Sequence, residues 1–447
     1  MAHSGSCRRE IIAASLIVVV SLFMILATFA NMNASPWEIR EEGFLQSSFD
    51  LALVEDSEGV LHSAYRDHME RLIYAQFKDG NWEAVPIANV TSDYHGMSIA
   101  LGTENEVFIC TAEISSGVAE KSSRVLFASN ELGSWNVSDV PLNGLCSSSA
   151  VAVDAYGTVH MICSEYYGYY DGTPEQHGSR LRHLVRGPNG WENSTVATFG
   201  LGDLVTVESF RIDSSNGLHL LIIHDNRTEA MYNWNLAYSR LCYLSSEDND
   251  WSLTVISNRT GAYTPGYPSM VVDGLRPHIS FFQYLGDVNR LHYATKIDGA
   301  WSATDVAWAG TTVFVSSSID VGVSGNAVIG YQTSWFDGAS TSNGTVRYAV
   351  QSSNGWRTSV VDTAIGGHHE SRETAIAAGP DNVPDIIYCD TSDGPPTFCH
   401  ARGLNDNEVL LNSVQESALY SGLVALLVVC PGGLIAYKIL NTKGLKK

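Results

Sequence analysis

Short apolar runs, each cut off by an Asp/Gly turn and followed by a second apolar run, recur down this chain and predict β-strands throughout. The clearest are "DLALVEDSEGVLHSAYRD" (50–67), "SAVAVDAYGTVHMIC" (149–163), "FRIDSSNGLHLLI" (210–222) and "PSMVVDGLRPHISFF" (268–282). The second run opens on His62, His160 or His278, and on Phe108, Val328 or Asp385 in less regular copies. A third strand such as "RLIYA" or "RLHYA" follows, then a tight "DGNW" or "DGAW" turn and a fourth strand.

The tryptophans give the period. Six of them stand eight residues after an aromatic or histidine slot: Tyr74/Trp82, Phe127/Trp135, His183/Trp191, Tyr243/Trp251, Tyr293/Trp301 and Tyr348/Trp356. A seventh, Trp37, precedes the first slot, while the last slot, His400, has Glu408 in the tryptophan's place. The front of the chain thus holds the strand that the last unit lacks. Four short strands per unit, with tryptophans roughly 45 to 60 residues apart, is the period of a β-propeller blade. A single sheet cannot bury both apolar faces, whereas seven sheets in a ring bury each other's. The expected fold is all-β, a seven-bladed β-propeller closed by the N-terminal strand, with its recurrent aromatics and histidines packed between blades. Closure also predicts that both chain ends leave on the face of the three-to-four turns, so that the two-to-three and four-to-one loops point away.

The pattern resembles the "PHI-[AS]-Y-Y-D … L-x-Y-A … G-x-W" repeats of exported bacterial and archaeal propellers. In layout it is similar to the Asp-box repeats of the sialidase-like superfamily, with Asp79-Gly80-Asn81-Trp82 and Asp298-Gly299-Ala300-Trp301 in a shorter turn. The resemblance covers residues 37 to about 403 and is architectural. A sialidase would carry an R-I-P stretch near the domain start; the look-alike, Phe210-Arg211-Ile212-Asp213, lacks the proline and sits mid-domain.

Two apolar segments flank the repeats. Residues 11–30 and 418–437 are each free of charge over 20 positions, about 30 Å as helix and so the thickness of a bilayer core. Arg8 and Arg9 precede the first, and Lys438, Lys443, Lys446 and Lys447 follow the second. The positive-inside rule then puts the tails 1–10 and 438–447 in the cytoplasm of a cell-membrane protein. Residues 31–403, the propeller, and 404–417, a linker, lie outside. Residues 11–30 exceed a signal-peptide core and read as an uncleaved anchor; a cleaved signal ending at Thr28-Phe29-Ala30 is the alternative.

Acidic residues outnumber basic ones 48 to 26, a net charge of −22, which excludes nucleic acid as a partner. An exported domain permits disulfides, and Cys389 and Cys399 flank a Ser392-Asp393-Gly394-Pro395 turn at hairpin spacing, so they are the expected bond; Cys146 and Cys163 are a weaker pair. Sequons at Asn33, Asn89, Asn136, Asn193, Asn226, Asn258 and Asn343 permit a glycoprotein.

Candidate ligand residues gather in the outward loops. "EYYGYYDGTPEQHG" (165–178) carries Tyr166, Tyr167, Tyr169, Tyr170 and His177. Tyr94, His95, Tyr263, Tyr267, Trp335, His368, His369, Glu370 and Arg372 stand in neighbouring loops. Exposed aromatics of this kind suit glycan or protein ligands. No metal or cofactor is expected, and no catalytic motif is present. The expected role is a membrane-anchored recognition module. The alternatives are a glycan-acting hydrolase, with Glu370 and Glu373 as its carboxylates, and an envelope component without a discrete ligand.

Overall fold

The computed structural model describes residues 37–42, 47–90, 97–115, 122–142, 144–168, 177–226, 238–247, 250–260, 268–284, 289–308, 313–334, 343–366, 374–379, 383–390, 392 and 396–404. The chain divides into two compact units, Ile39–Ala401, and Met1–Glu38 with Arg402–Lys447. Of the second unit, the described residues are Trp37, Glu38, Arg402, Gly403 and Leu404. The apolar segments 11–30 and 418–437 lie outside the described residues, among which no helix is long and apolar enough to cross a membrane.

The described strands form seven four-stranded sheets. Blades one to six are the consecutive strands of residues 47–89, 97–139, 145–201, 203–260, 269–308 and 313–366. Blade seven is Thr374–Ala377, Asp385–Asp390 and Thr397–Gly403, with Trp37–Glu42 as its outer strand. The innermost strand of every blade touches those of its two neighbours, and Thr374–Ala377 returns to Ser47–Glu55, so the ring is closed.

Local turn chemistry makes the blades. Asp56, Asp154 and Asp213 each use Oδ1 to accept two backbone N–H groups, from Glu58 and Val60, Tyr156 and Thr158, and Ser215 and Gly217, at 2.7–2.9 Å. These are Asx turns, the reason aspartate recurs there. The "DG" turns place two residues in succession at positive φ, Asp79 (53°) with Gly80 (80°) and Asp298 (49°) with Gly299 (81°), the hairpin geometry that matches strand twist.

Between blades, the slot residue of one blade packs on the tryptophan of the next. Ring centroids are 4.9 Å apart for Tyr74–Trp135, 5.1 Å for Phe127–Trp191, 6.1 Å for His183–Trp251, 4.9 Å for Tyr243–Trp301 and 5.1 Å for Tyr293–Trp356. At the closing junction, His400 of blade seven meets Trp82 of blade one at 5.6 Å. The strand-two histidines are buried beneath these aromatics in short relays. His62 and His219 each bridge a slot tyrosine (Tyr74 at 2.6 Å, Tyr243 at 2.5 Å) to a turn aspartate (Asp56 at 3.2 Å, Asp213 at 2.9 Å). Blade three substitutes a second histidine, His160 Nδ1 to His183 Nε2 at 3.0 Å, and blade two substitutes stacked Phe108 and Phe127.

Serine manages the inner edges. Inner strands lack a ladder partner on the channel side, and hydroxyls from one blade meet backbone of the next: Ser98 with Val151, Ser148 with Val207, Ser209 with Met270, Ser269 with Ile319 and Ser318 with Ile376. Asp320 does the same with its carboxylate, accepting from Ala378 N at 2.8 Å. Ser98→Ala is expected to cost about 1–3 kcal/mol, because Val151 is fully buried and would lose a donor's partner. Urea unfolding tests this; a loss below about 0.3 kcal/mol would mean the contact is incidental.

The six described cysteines are buried, and the expected Cys389–Cys399 bond is not shown in this structure. The two lie on neighbouring strands, but the Cys399 thiol is turned along its own strand toward the Thr397 carbonyl, 3.8 Å away. Burial, with Asp390 and Glu41 nearby, pushes that thiol up to about 12. The Cys146 thiol likewise contacts the Ser148 carbonyl, at 3.3 Å.

Candidate functional site

The central channel offers little room. Its wall is mostly small (Ala52, Ser98, Ser149, Ala150, Ser269, Ser318), and a cavity of only about 70 Å³ remains. Toward the face of the one-to-two turns it widens to about 350 Å³ beside Arg211 and Asp320. Burial pushes the Asp320 carboxyl up, against the N–H groups of Ala378 and Val321 that hold its ionised form. No group of three or more metal-ligating side chains occurs among the described residues. The narrow inner part of the channel is too small for a sugar, which leaves the wider mouth beside Arg211 and Asp320 and the rim of the ring as places for one.

On the loop face, blade five presents a large exposed aromatic. Trp308 ends the outer strand Ala300–Trp308 and is 65% exposed. It pairs directly with Arg290 on the third strand, whose guanidinium lies 4.3 Å from the ring centroid. Asp305 fixes that arginine, accepting from Arg290 Nη1 at 2.8 Å and lying 3.1 Å from His292 Nδ1. Burial holds His292 below its ordinary value, with Asp305 pulling the other way. The imidazole is thus neutral near pH 7, and Asp305 serves chiefly to orient the guanidinium. The result is an indole with one face stacked on a fixed guanidinium, and the exposed remainder of Trp308 is a surface on which a sugar ring can pack.

Blade three carries a second aromatic–arginine pair on the same face. Arg180 lies 5.1 Å over the Tyr167 ring, and the Tyr167 hydroxyl donates to the Phe199 carbonyl. Gly178 permits this: a Cβ there would stand 2.8 Å from the tyrosine ring and 2.6 Å from the Gly200 carbonyl oxygen. The buried Glu165 carboxylate accepts from Arg182 Nε at 2.8 Å and lies 4.0 Å from Arg180, while Arg182 also donates to Thr195 at 2.8 Å. In blade two, buried Glu113 accepts from Arg124 at 2.7 Å. Both carboxylates are committed to arginines.

The sequence reading placed Tyr166 and Tyr167 in a long loop, and the structure corrects this. The second strand runs Val159–Gly168 and the third begins at His177, so both tyrosines are strand residues, paired with Ser179 and Gly178. Neighbours on a strand point to opposite faces of the sheet, and the two cannot form one aromatic patch. His177 pairs with Gly168 at the end of this ladder. Tyr94, His95, Tyr169, Tyr170, Tyr263, Tyr267, Trp335, His368, His369, Glu370 and Arg372 lie outside the described residues.

No protein-family model and no curated protein matches this chain. Among solved structures it is similar to AofleA from Arthrobotrys oligospora, at 12% identity and a TM-score of 0.43 over 74% of this chain and 91% of that one. It is also similar to Aleuria aurantia lectin, at 11% identity and a TM-score of 0.41 over 73% and 98%. NanB sialidase from Streptococcus pneumoniae gives 12% identity and a TM-score of 0.42 over 84% and 71%.

Trp308 was missed in the sequence although a signal exists. The chain has ten tryptophans, and removing the seven that keep the repeat leaves Trp234, Trp308 and Trp335. A tryptophan that the repeat does not require is the one free to serve a ligand. Arg290 could not have been paired with it, since that contact depends on strand register.

Proposed function

We propose that this protein is a recognition module, anchored in the cell membrane by residues 11–30 and 418–437, whose extracytoplasmic propeller binds glycans on its loop face. The observation that carries the reading is the Trp308–Arg290 platform, with 65% of the tryptophan exposed although burial would have been favourable. The Tyr167–Arg180 pair on blade three supplies a second contact of the same chemistry. Three buried carboxylates, Asp67, Glu113 and Glu165, are ion-paired to Arg71, Arg124 and Arg182, which suits a surface built to hold its arginines in place.

Residues 31–412 on a glycan array should show selective binding, and Trp308→Ala should weaken it at least tenfold. Because Trp308 is exposed, the substitution should change stability by no more than about 0.5 kcal/mol, so lost binding is separable from lost folding. A folded domain that binds no glycan, or a Trp308→Ala variant that binds unchanged, would overturn this reading.

A further inference from the structure

We infer that the opposite face of the propeller, formed by the one-to-two and three-to-four turns, rests on the bilayer through exposed apolar turn tips. This rests on the membrane anchoring proposed above. Tyr156 (85% exposed), Leu275 (64%) and Val323 (70%) occupy the tips of the one-to-two turns of blades three, five and six. Leu132 (85%) tips the three-to-four turn of blade two, and Ile297 borders that of blade five. Turn tips ordinarily carry polar residues, and these five exposed apolar groups outnumber those of the loop face, Met69, Leu201 and Trp308, so they mark an interaction surface.

The tips are held in place. Ala155 N donates to Asn216 Oδ1 at 3.0 Å, joining the turns of blades three and four, and Ser214 lies against the Gly274 carbonyl of blade five at 3.5 Å. Arg186 of blade three is ion-paired to Glu131, beside Leu132. Gly157 and Gly274 sit at positive φ next to Tyr156 and Leu275, and Gly325 does so two residues after Val323, fixing the direction in which each tip projects.

Chain connectivity identifies the occupant as lipid. Arg40 of the closing strand donates to the Gly80 carbonyl in the three-to-four turn of blade one, and His400 packs on Phe77 at 4.7 Å just before that turn. Both chain ends therefore leave the ring on the turn face. Seven residue steps separate Ala30, the end of the first apolar run, from Trp37, at most about 25 Å of extended chain. A tether so short keeps this face near any membrane the run spans. The polar turns of blades one, two and four carry Glu58, Glu104 and Ser215, so the surface fits a neutral bilayer and not an anionic one.

The test uses the full chain with Cys7→Ser and Cys430→Ser, reconstituted in phosphatidylcholine vesicles; the six described native thiols are buried. An environment-sensitive fluorophore is attached at Tyr156→Cys, Leu275→Cys or Val323→Cys, with Leu201→Cys on the loop face as reference. Spin-labelled lipid should quench the turn-face labels several-fold more than the reference, and their emission should shift to the blue. Tyr156→Asp with Val323→Asp should remove quenching at position 275 while the protein still floats with the vesicles. Vesicle-bound protein whose turn-face labels are quenched no more than the reference would overturn the docking and leave the anchoring intact. Protein that fails to float would overturn both.

Discussion

Replacing Trp82 by alanine is expected to destabilise the propeller by about 3–5 kcal/mol, a large part of the roughly 5–15 kcal/mol of a typical domain. Trp82 is 4% exposed and belongs to blade one, yet its edge contacts are to Phe398 at 5.1 Å and His400 at 5.6 Å in blade seven. It therefore holds the junction where the two ends of the ring meet. A cavity there weakens closure itself, and neighbouring strands cannot collapse into it without opening the ring. Trp82 Nε1 makes no hydrogen bond, so the contribution is packing and not polar. Trp82→Phe should consequently cost less than about 1.5 kcal/mol. Equilibrium urea unfolding of both variants checks the pair. An alanine variant within 1 kcal/mol of wild type, by order of magnitude, would show that the ring is closed by something other than this aromatic contact.

Acidification from pH 7 to pH 5 is expected to remove several kcal/mol of stability, well before the carboxylates titrate. Burial depresses the imidazoles of His62, His183, His224, His278 and His292, and for His183 and His278 it does so to about 4. A depressed histidine takes up its proton in the unfolded chain first. Its contribution is thus complete above about pH 6.5 and is lost as pH falls from there toward the folded value. At pH 5, His183 and His278 alone would each forfeit about 2 kcal/mol. The turn aspartates act in a lower window. Burial alone would raise Asp56, Asp154 and Asp213, but their backbone N–H donors and histidine partners outweigh it and hold them below 3.8. Their contribution disappears only as pH drops below that. Asp320, raised by burial, works in the opposite sense and softens the loss slightly. The decisive variant is His160→Phe with His183→Phe, which copies the Phe108–Phe127 pair that blade two already uses. It should remove the share of the slope between pH 6.5 and 5 that His183 contributes, about 2 kcal/mol at pH 5, without changing the fold. An unchanged slope would mean that His183 is protonated in the folded protein.

Much of the candidate site was beyond reading from sequence for a definite reason. Aromatic loops can be recognised by composition, but whether a residue lies in a loop depends on how far the ladder extends. Tyr166 and Tyr167 are drawn into the second strand of blade three because the ladder continues to His177 and Gly168. Conversely, Trp308 lies at the end of a strand, and its platform exists only because register sets it opposite Arg290. The cysteines show the same limit: hairpin spacing brings Cys389 and Cys399 onto neighbouring strands, but side-chain direction turns the Cys399 thiol toward Thr397.

What the amino-acid sequence determined by itself is everything carried by local chemistry and period. Asx and "DG" turns, strand alternation and the tryptophan spacing specify four strands per unit, seven units, and the N-terminal strand as the missing piece. These features depend on residues within about ten positions of each other, so they are legible along the chain. The tertiary structure decided which groups meet. Tyr74 and Trp82 are eight residues apart and mark the same blade, yet Tyr74 packs on Trp135 and Trp82 on His400. The serine bridges, from Ser98 to Val151 through Ser318 to Ile376, and the turn-to-turn bonds of the lower rim likewise join positions 50 or more residues apart. Such contacts follow from ring closure, which sets every blade against its neighbour, and only the closed ring reveals them.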